Sequence, residues 1–198
     1  MTEFGAIPPI LREGTEPLVF EGQTVGASLQ DFWAWGYSDL INNTQRGALA
    51  EFIVAQAIGV ASTVRVDWTP WDLTTPSGIK VEVKSAAYIQ SWSQAGPSKI
   101  TFGVAKRRGV VGDSGVLDND PRHHAHVYVF ALLAEMDQTV IDPLDLDQWE
   151  FYVVPTSVLE QRERSQHSIT LPSLRRLAKE LTWAQLADAV ENPQAYLT

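Results

Sequence analysis

A chain of 198 residues, 44% apolar and 20% charged, has material for one well-buried domain with an N-terminal arm, but not for two full domains. It contains no cysteine, which excludes a disulfide framework and a thiolate metal site, and no apolar run approaches the roughly 18–20 residues of a membrane span. The net charge of -9 opposes non-specific binding to nucleic acid, so any contact with phosphate must rest on a local basic patch and a bound cation.

The start, Met1-Thr2-Glu3-Phe4, lacks the basic and apolar regions of a signal peptide, and a cytoplasmic protein is expected. Residues 1–27 are rich in proline and glycine without periodicity, which predicts an extended arm. Ser28 is placed to cap a short aromatic helix through Phe32, Trp33 and Trp35. A second helix is predicted to begin at Asn42–Thr44 and to end at Gly59, which suits a left-handed C-terminal position. A strand around Val64–Trp68, a hairpin, and a third run, Ile100–Ala105, follow. Lys106–Arg122 is long, irregular and mixed in charge, a pattern often functional or mobile. Val127–Leu133 is almost continuously apolar, as a central strand buried on both faces would be, and Trp149–Val154 is a further strand closed by Pro155. Three helices are expected at the end: from Ser157 to about Arg164, from Ser173 to Leu181, and a last one opened by the capping-box spacing Thr182-Trp183-Ala184-Gln185. The chain then divides into an arm (1–27), a core (28–155) and C-terminal helices (156–198) of a single domain, with a mixed sheet covered on both faces.

The hairpin carries the chemistry. Ile79, Val81 and Val83 alternate with Lys80, Glu82 and Lys84, the period-2 signature of a strand with unlike faces. If Pro76-Ser77-Gly78 is a three-residue loop with Gly78 at positive φ, Thr75 pairs with Ile79, Thr74 with Lys80, and Asp72 with Glu82. Two carboxylates side by side repel unless a cation separates them; a divalent metal ion and the Lys84 ammonium would resolve the conflict. On the preceding helix, Glu51 is surrounded at helical spacing by Gly47, Ala48, Val54 and Ala55. A carboxylate on so apolar a surface needs a partner. Either it forms a salt bridge, to Arg46 or Arg65 for example, or it reaches the same metal as Asp72 and Glu82.

With Glu51, Asp72, Glu82 and Lys84 aligned, residues 44–92 resemble the PD-(D/E)xK nuclease superfamily, the restriction-endonuclease-like fold. Arg46-Gly47-Ala48-Leu49-Ala50-Glu51 is similar to its first motif, Asp72 to the aspartate of the second, and Glu82-Val83-Lys84 to the Glu-x-Lys of the third. Asp72 follows Trp71 rather than proline, and Asp67 competes for its place but lacks the turn-fixed register. The resemblance implies a three-layer α/β/α sandwich around a central mixed sheet, Mg²⁺ or Mn²⁺, and hydrolysis of phosphodiester bonds of DNA. It implies that Asp72, Glu82, the Val83 carbonyl and Glu51 hold the ion, with Lys84 orienting or deprotonating the attacking water. Lys80 on the same strand face and Gln90 after the third motif are expected at the substrate, as is the basic cluster Lys106-Arg107-Arg108. The expected partner is DNA, with no membrane, and with either a homodimer or a basic partner subunit. The alternative is a catalytically silent module of this fold that binds DNA or a partner protein. In Arg122-His123-His124-Ala125-His126, His124 and His126 share a strand face without a third zinc ligand at helical or loop spacing, and the stretch reads as polar residues leading into a buried strand. Trp33, Trp35, Trp71 and Trp92 read as packing residues rather than as stacking platforms.

Overall fold

The computed structural model describes residues 5, 7–66, 69–109, 119–163 and 167–198. The chain opens with strands β1 (Pro17–Phe20) and β2 (Gln23–Ser28), paired antiparallel, so the second half of the expected extended arm is instead a hairpin. Its turn has positive φ at Glu21 (48°) and Gly22 (79°), the conformation whose twist matches that of the flanking strands. Helix α1 (Leu29–Tyr37) starts as expected: the Ser28 side chain accepts from the Asp31 N–H while the Asp31 carboxylate accepts from Ser28 N at 2.7 Å. It buries no residue, and Trp35 is 85% exposed, so the aromatic residues of α1 are not the core residues expected.

Helix α2 (Asn43–Ala57) is capped by Asn42, whose Oδ1 accepts from Thr44 N at 2.9 Å, and Gly59 follows its end at φ 74°. Strands β3 (Leu73–Thr74), β4 (Lys80–Ala87), β6 (Val127–Leu133) and β7 (Trp149–Pro155) form a mixed sheet in the order β3-β4-β6-β7. β4 and β6 are parallel; the other pairs are antiparallel. All seven residues of β6 are buried, as an apolar strand with neighbours on both sides and cover on both faces must be. Val81, Val83, Val127, Val129, Phe151 and Val153 pack against α2 and α5 (Leu186–Glu191). On the opposite face Ala86, Tyr128, Phe130, Leu132 and Tyr152 pack against α3 (Thr156–Glu160), α4 (Leu171–Leu174) and a small antiparallel sheet of β5 (Thr101–Gly103) with β8 (Ser168–Thr170). At roughly 1.5–3 kcal/mol for each fully buried aliphatic or aromatic side chain, these two layers fix β4 and β6 rigidly. One cover is helical and the other is part helix, part sheet.

The run expected over 100–105 is a strand, paired with β8 outside the main sheet. Two expectations change. The helix expected over Ser173–Leu181 stops at Leu174, because Leu181 exchanges backbone hydrogen bonds with Phe151 and Ala178 bridges to Leu197. Residues 64–66 of the strand expected around Val64–Trp68 have no regular structure, and Asp67 lies outside the described residues. Within the 106–122 segment, Arg107 and Arg122 bond each other's backbones at 3.0–3.1 Å. Among the described residues no helix is long and apolar enough to cross a membrane.

The hairpin between β3 and β4 has the expected register, with Thr74 opposite Lys80 and Leu73 opposite Val81. Thr75 N donates to the Ile79 carbonyl at 2.9 Å, and Gly78 takes φ 89°. The Ser77 hydroxyl ties the tip to the Glu191 carboxylate at 2.9 Å. A Cβ at Gly78 meets no atom, so Gly78→Ala carries only the left-handed backbone penalty, about 1–2 kcal/mol. Urea unfolding of the two proteins measures this; equal midpoints would refute the turn conformation.

Candidate active site

β3 ends after two residues, and among the described residues no strand pairs with the rest of the β4 edge, from Glu82 to Ala87. Asp72 takes over where the pairing stops: its N–H donates to the Val81 carbonyl at 3.0 Å, and its Oδ2 accepts from Val83 N at 2.7 Å. Both bonds use odd-numbered residues of β4, so the Val83 carbonyl is directed to the same edge. Asp72 therefore sits beside the backbone of the Glu82-Val83-Lys84 segment, as the register required.

Glu82 and Lys84 alternate with Val81 and Val83 and project to the face opposite α2, where Lys84 Nζ is ion-paired with Glu82 Oε1. Glu82 is only 7% exposed. Its strand neighbour on β6 is Tyr128, whose phenol is held well above its usual range by burial and then by the Glu82 carboxylate, while Arg107 opposes the shift. From the other face, Glu51 lines a cavity of about 310 Å³ together with Asp72, Phe52, Arg65 and Trp71.

Asp72 stands between these carboxylates and registers both. Burial raises its carboxyl, Glu82 and then Glu51 raise it further, and the Val83 N–H and Lys84 only partly compensate, leaving it pushed up to about 6. Glu51 itself makes the salt bridge that was its simpler alternative, with Arg65 Nε at 2.5 Å and Nη2 at 2.9 Å. Accordingly, among the described residues no three acidic or histidine side chains are set as a closed ion-binding cluster. The oxygens near Asp72 are nonetheless all hard donors, around a carboxyl that burial and then the Glu82 carboxylate raise, and a divalent cation relieves such repulsion.

The other predicted contacts divide. Lys80 lies over the Trp71 ring, 3.8 Å from its centroid, and Trp71 Nε1 donates to Thr74 Oγ1 at 2.9 Å, so this lysine borders the site. Arg107 acts on Tyr128, whereas Lys106 and Arg108 beside it are exposed. Gln90 is not beside Lys84: its side chain donates to the Ala87 carbonyl at 2.8 Å and accepts from Arg46. The three histidines are structural, as read. His123 bonds the Val104 carbonyl, His124 the Arg107 carbonyl, and His126 accepts from Lys80 N. Trp92, expected to pack, is exposed.

Sequence reasoning passed over Arg46 as a site residue, although it is 3% exposed. Helical spacing held the signal: 46, 50, 53 and 54 form one stripe, and all four are buried. Among curated proteins no match to the chain is found. The family model of bacteriophage T4 endonuclease IV matches residues 23–172, a span running from β2 through the hairpin and sheet to α4. The chain belongs to the bacteriophage T4 endonuclease IV family.

Proposed function

We propose that this protein is a metal-dependent DNA endonuclease of the PD-(D/E)xK type, with its active centre on the free edge of β4. The family is described as an endonuclease, which supports DNA as the substrate. One observation carries the rest: Asp72, bonded to Val83 N and raised to about 6 by burial and by the Glu82 and Glu51 carboxylates, marks a point of excess negative charge. In this reading Asp72, Glu82 and the Val83 carbonyl hold Mg²⁺ or Mn²⁺, with Glu51 joining directly or through water. The restriction-endonuclease-like layering belongs to the same reading, supported by a mixed sheet covered on both faces.

The ion supplies polarisation of the scissile phosphate and acidification of water. The chain's own groups do the positioning. The Val83 N–H fixes the Asp72 carboxylate against the strand, and burial holds the Lys84–Glu82 pair in a single arrangement. Lys84 places a positive charge where the phosphorane-like transition state gains negative charge, and it orients the attacking water. Lys80, with its ammonium over Trp71, is set to meet a flanking phosphate. Cutting both strands calls for two such centres, hence a homodimer, while the net charge of -9 favours a basic partner subunit as the alternative.

A second reading, a silent nuclease-fold module that binds DNA or a partner protein, has one observation in its favour. Arg65 and Lys84 already neutralise two of the three acids. Supercoiled plasmid incubated with the protein in Mg²⁺, in Mn²⁺ and in excess chelator separates the two. Nicking that requires the cation is expected; intact plasmid with both metals, together with no metal binding by calorimetry, would establish the module.

A further inference from the structure

A second polar cavity, of about 350 Å³, opens further along the β4 edge. Arg46 enters it from α2. Its guanidinium donates to Ser85 Oγ at 3.3 Å, the Ile41 carbonyl at 2.8 Å, Gln90 Oε1 at 3.4 Å and Asn43 Oδ1 at 2.6 Å. These are four hydrogen bonds for five N–H groups, and every acceptor is neutral. Among the described residues no carboxylate pairs with Arg46, and no Asp or Glu lines the cavity. A buried guanidinium without a counter-charge is costly unless an anion completes it. Around it stand Ser98, Thr101 and Lys99, the last exposed at the rim, and the exposed ring of Trp92. In a protein of net charge -9, this is a local positive concavity.

Its position relative to the acidic site is regular. Three side chains reach β4 in turn: the Asp72 carboxylate at Val83 N and the Gln90 amide at the Ala87 carbonyl along its backbone edge, and Arg46 at the Ser85 hydroxyl on the α2 face. Alternate strand residues are about 6.6 Å apart. On α2, Arg46 precedes Glu51 by five residues, about 7.5 Å along the axis. Either measure is on the order of the separation of neighbouring phosphates along one DNA strand, about twice the axial rise of 3.4 Å.

We infer that the Arg46 cavity is a phosphate subsite for the DNA strand being cut, holding a backbone phosphate near the scissile one, with Trp92 placed to stack on a neighbouring base. The one Arg46 N–H left without an acceptor among the described residues, with the Lys99 ammonium at the rim, suits a phosphate oxygen, and the exposed indole suits the face of a base. This inference rests on the nuclease reading for its substrate but not for its test.

The test is binding of a short fluorescent DNA duplex in chelator, across a salt series, by wild type, Arg46→Gln and Lys99→Glu. Each variant is expected to bind about tenfold more weakly at low salt and to lower the slope of log affinity against log salt by about 1. Lys99 is exposed, so Lys99→Glu decides alone should Arg46→Gln fail to fold. In parallel, inorganic phosphate is expected to raise the wild-type melting temperature above that in chloride of equal ionic strength, and not that of Lys99→Glu. Unchanged affinity and slope in folded variants overturn the subsite, as does wild type that binds no DNA. Phosphate protection without any effect on DNA also overturns it, because the cavity then takes a free anion. Loss of binding in the variants of a protein that never nicks plasmid upholds the subsite and fails the nuclease reading; nicking with variants that bind normally does the reverse.

Discussion

Glu82→Gln is expected to lower plasmid nicking by about 10³-fold while leaving the fold and chelator-resistant DNA binding in place. The amide matches the carboxylate in size, so the packing around this buried position is kept. What changes is charge. The amide oxygen is a poor ligand for a hard cation, and Lys84 loses the anion that positions its ammonium. Two roles fail together: holding the ion, and placing the positive charge that meets the transition state. Removal of one such stabilising group costs 10²–10³ on its own. The half-buried Lys84 is left with a weaker acceptor, so a stability loss on the order of 1–3 kcal/mol accompanies the change. Rates are therefore compared at a temperature well below both melting transitions, confirmed by circular dichroism. A Glu82→Gln protein that nicks within threefold of wild type would remove Glu82 from the centre.

The features that position this residue were legible in the sequence because they are local. Pro76-Ser77-Gly78 contains its own turn chemistry, and the turn sets every pairing behind it. The caps at Ser28, Asn42 and Thr182 are hydrogen bonds between residues two or three apart. β6 declared its burial through seven consecutive apolar residues. What was not legible depends on partners far along the chain. The Ser173–Leu181 run has helical composition, yet Leu181 is captured by Phe151, an outcome no local pattern encodes. The run that becomes β5 was legible, but its pairing with β8 was not. At the site, Glu51 had two solutions of equal chemical sense, and the choice of Arg65 rests on where the segment before β3 folds back. Arg46 was hidden by residue type rather than distance: an arginine on a buried stripe reads as an error in the pattern until its neutral acceptors are seen.

Asp72→Asn is expected to make the protein more stable at neutral pH while destroying its activity. In the wild type, burial and then the Glu82 carboxylate push the Asp72 carboxyl up from its ordinary 3.8 to about 6. The folded state thus binds this proton more tightly than the unfolded chain does. Stability is highest below pH about 4, falls as pH rises through the interval up to about 6, and stays reduced above it. The asparagine variant never carries the charge, and its side-chain oxygen still accepts from Val83 N. Its advantage is therefore nil near pH 4 and reaches on the order of 2–3 kcal/mol at pH 8. For a chain of this size that corresponds to a melting temperature higher by roughly 5–10 °C. Calorimetric melting of both proteins in chelator from pH 4 to 8 measures it. Adding Mg²⁺ at pH 8 is then expected to stabilise the wild type alone, because the cation offsets the repulsion that the substitution has already removed. An asparagine variant that melts at or below the wild type at pH 8 in chelator would show that Asp72 carries no charge strain, and with it the reason for a cation at this edge would disappear.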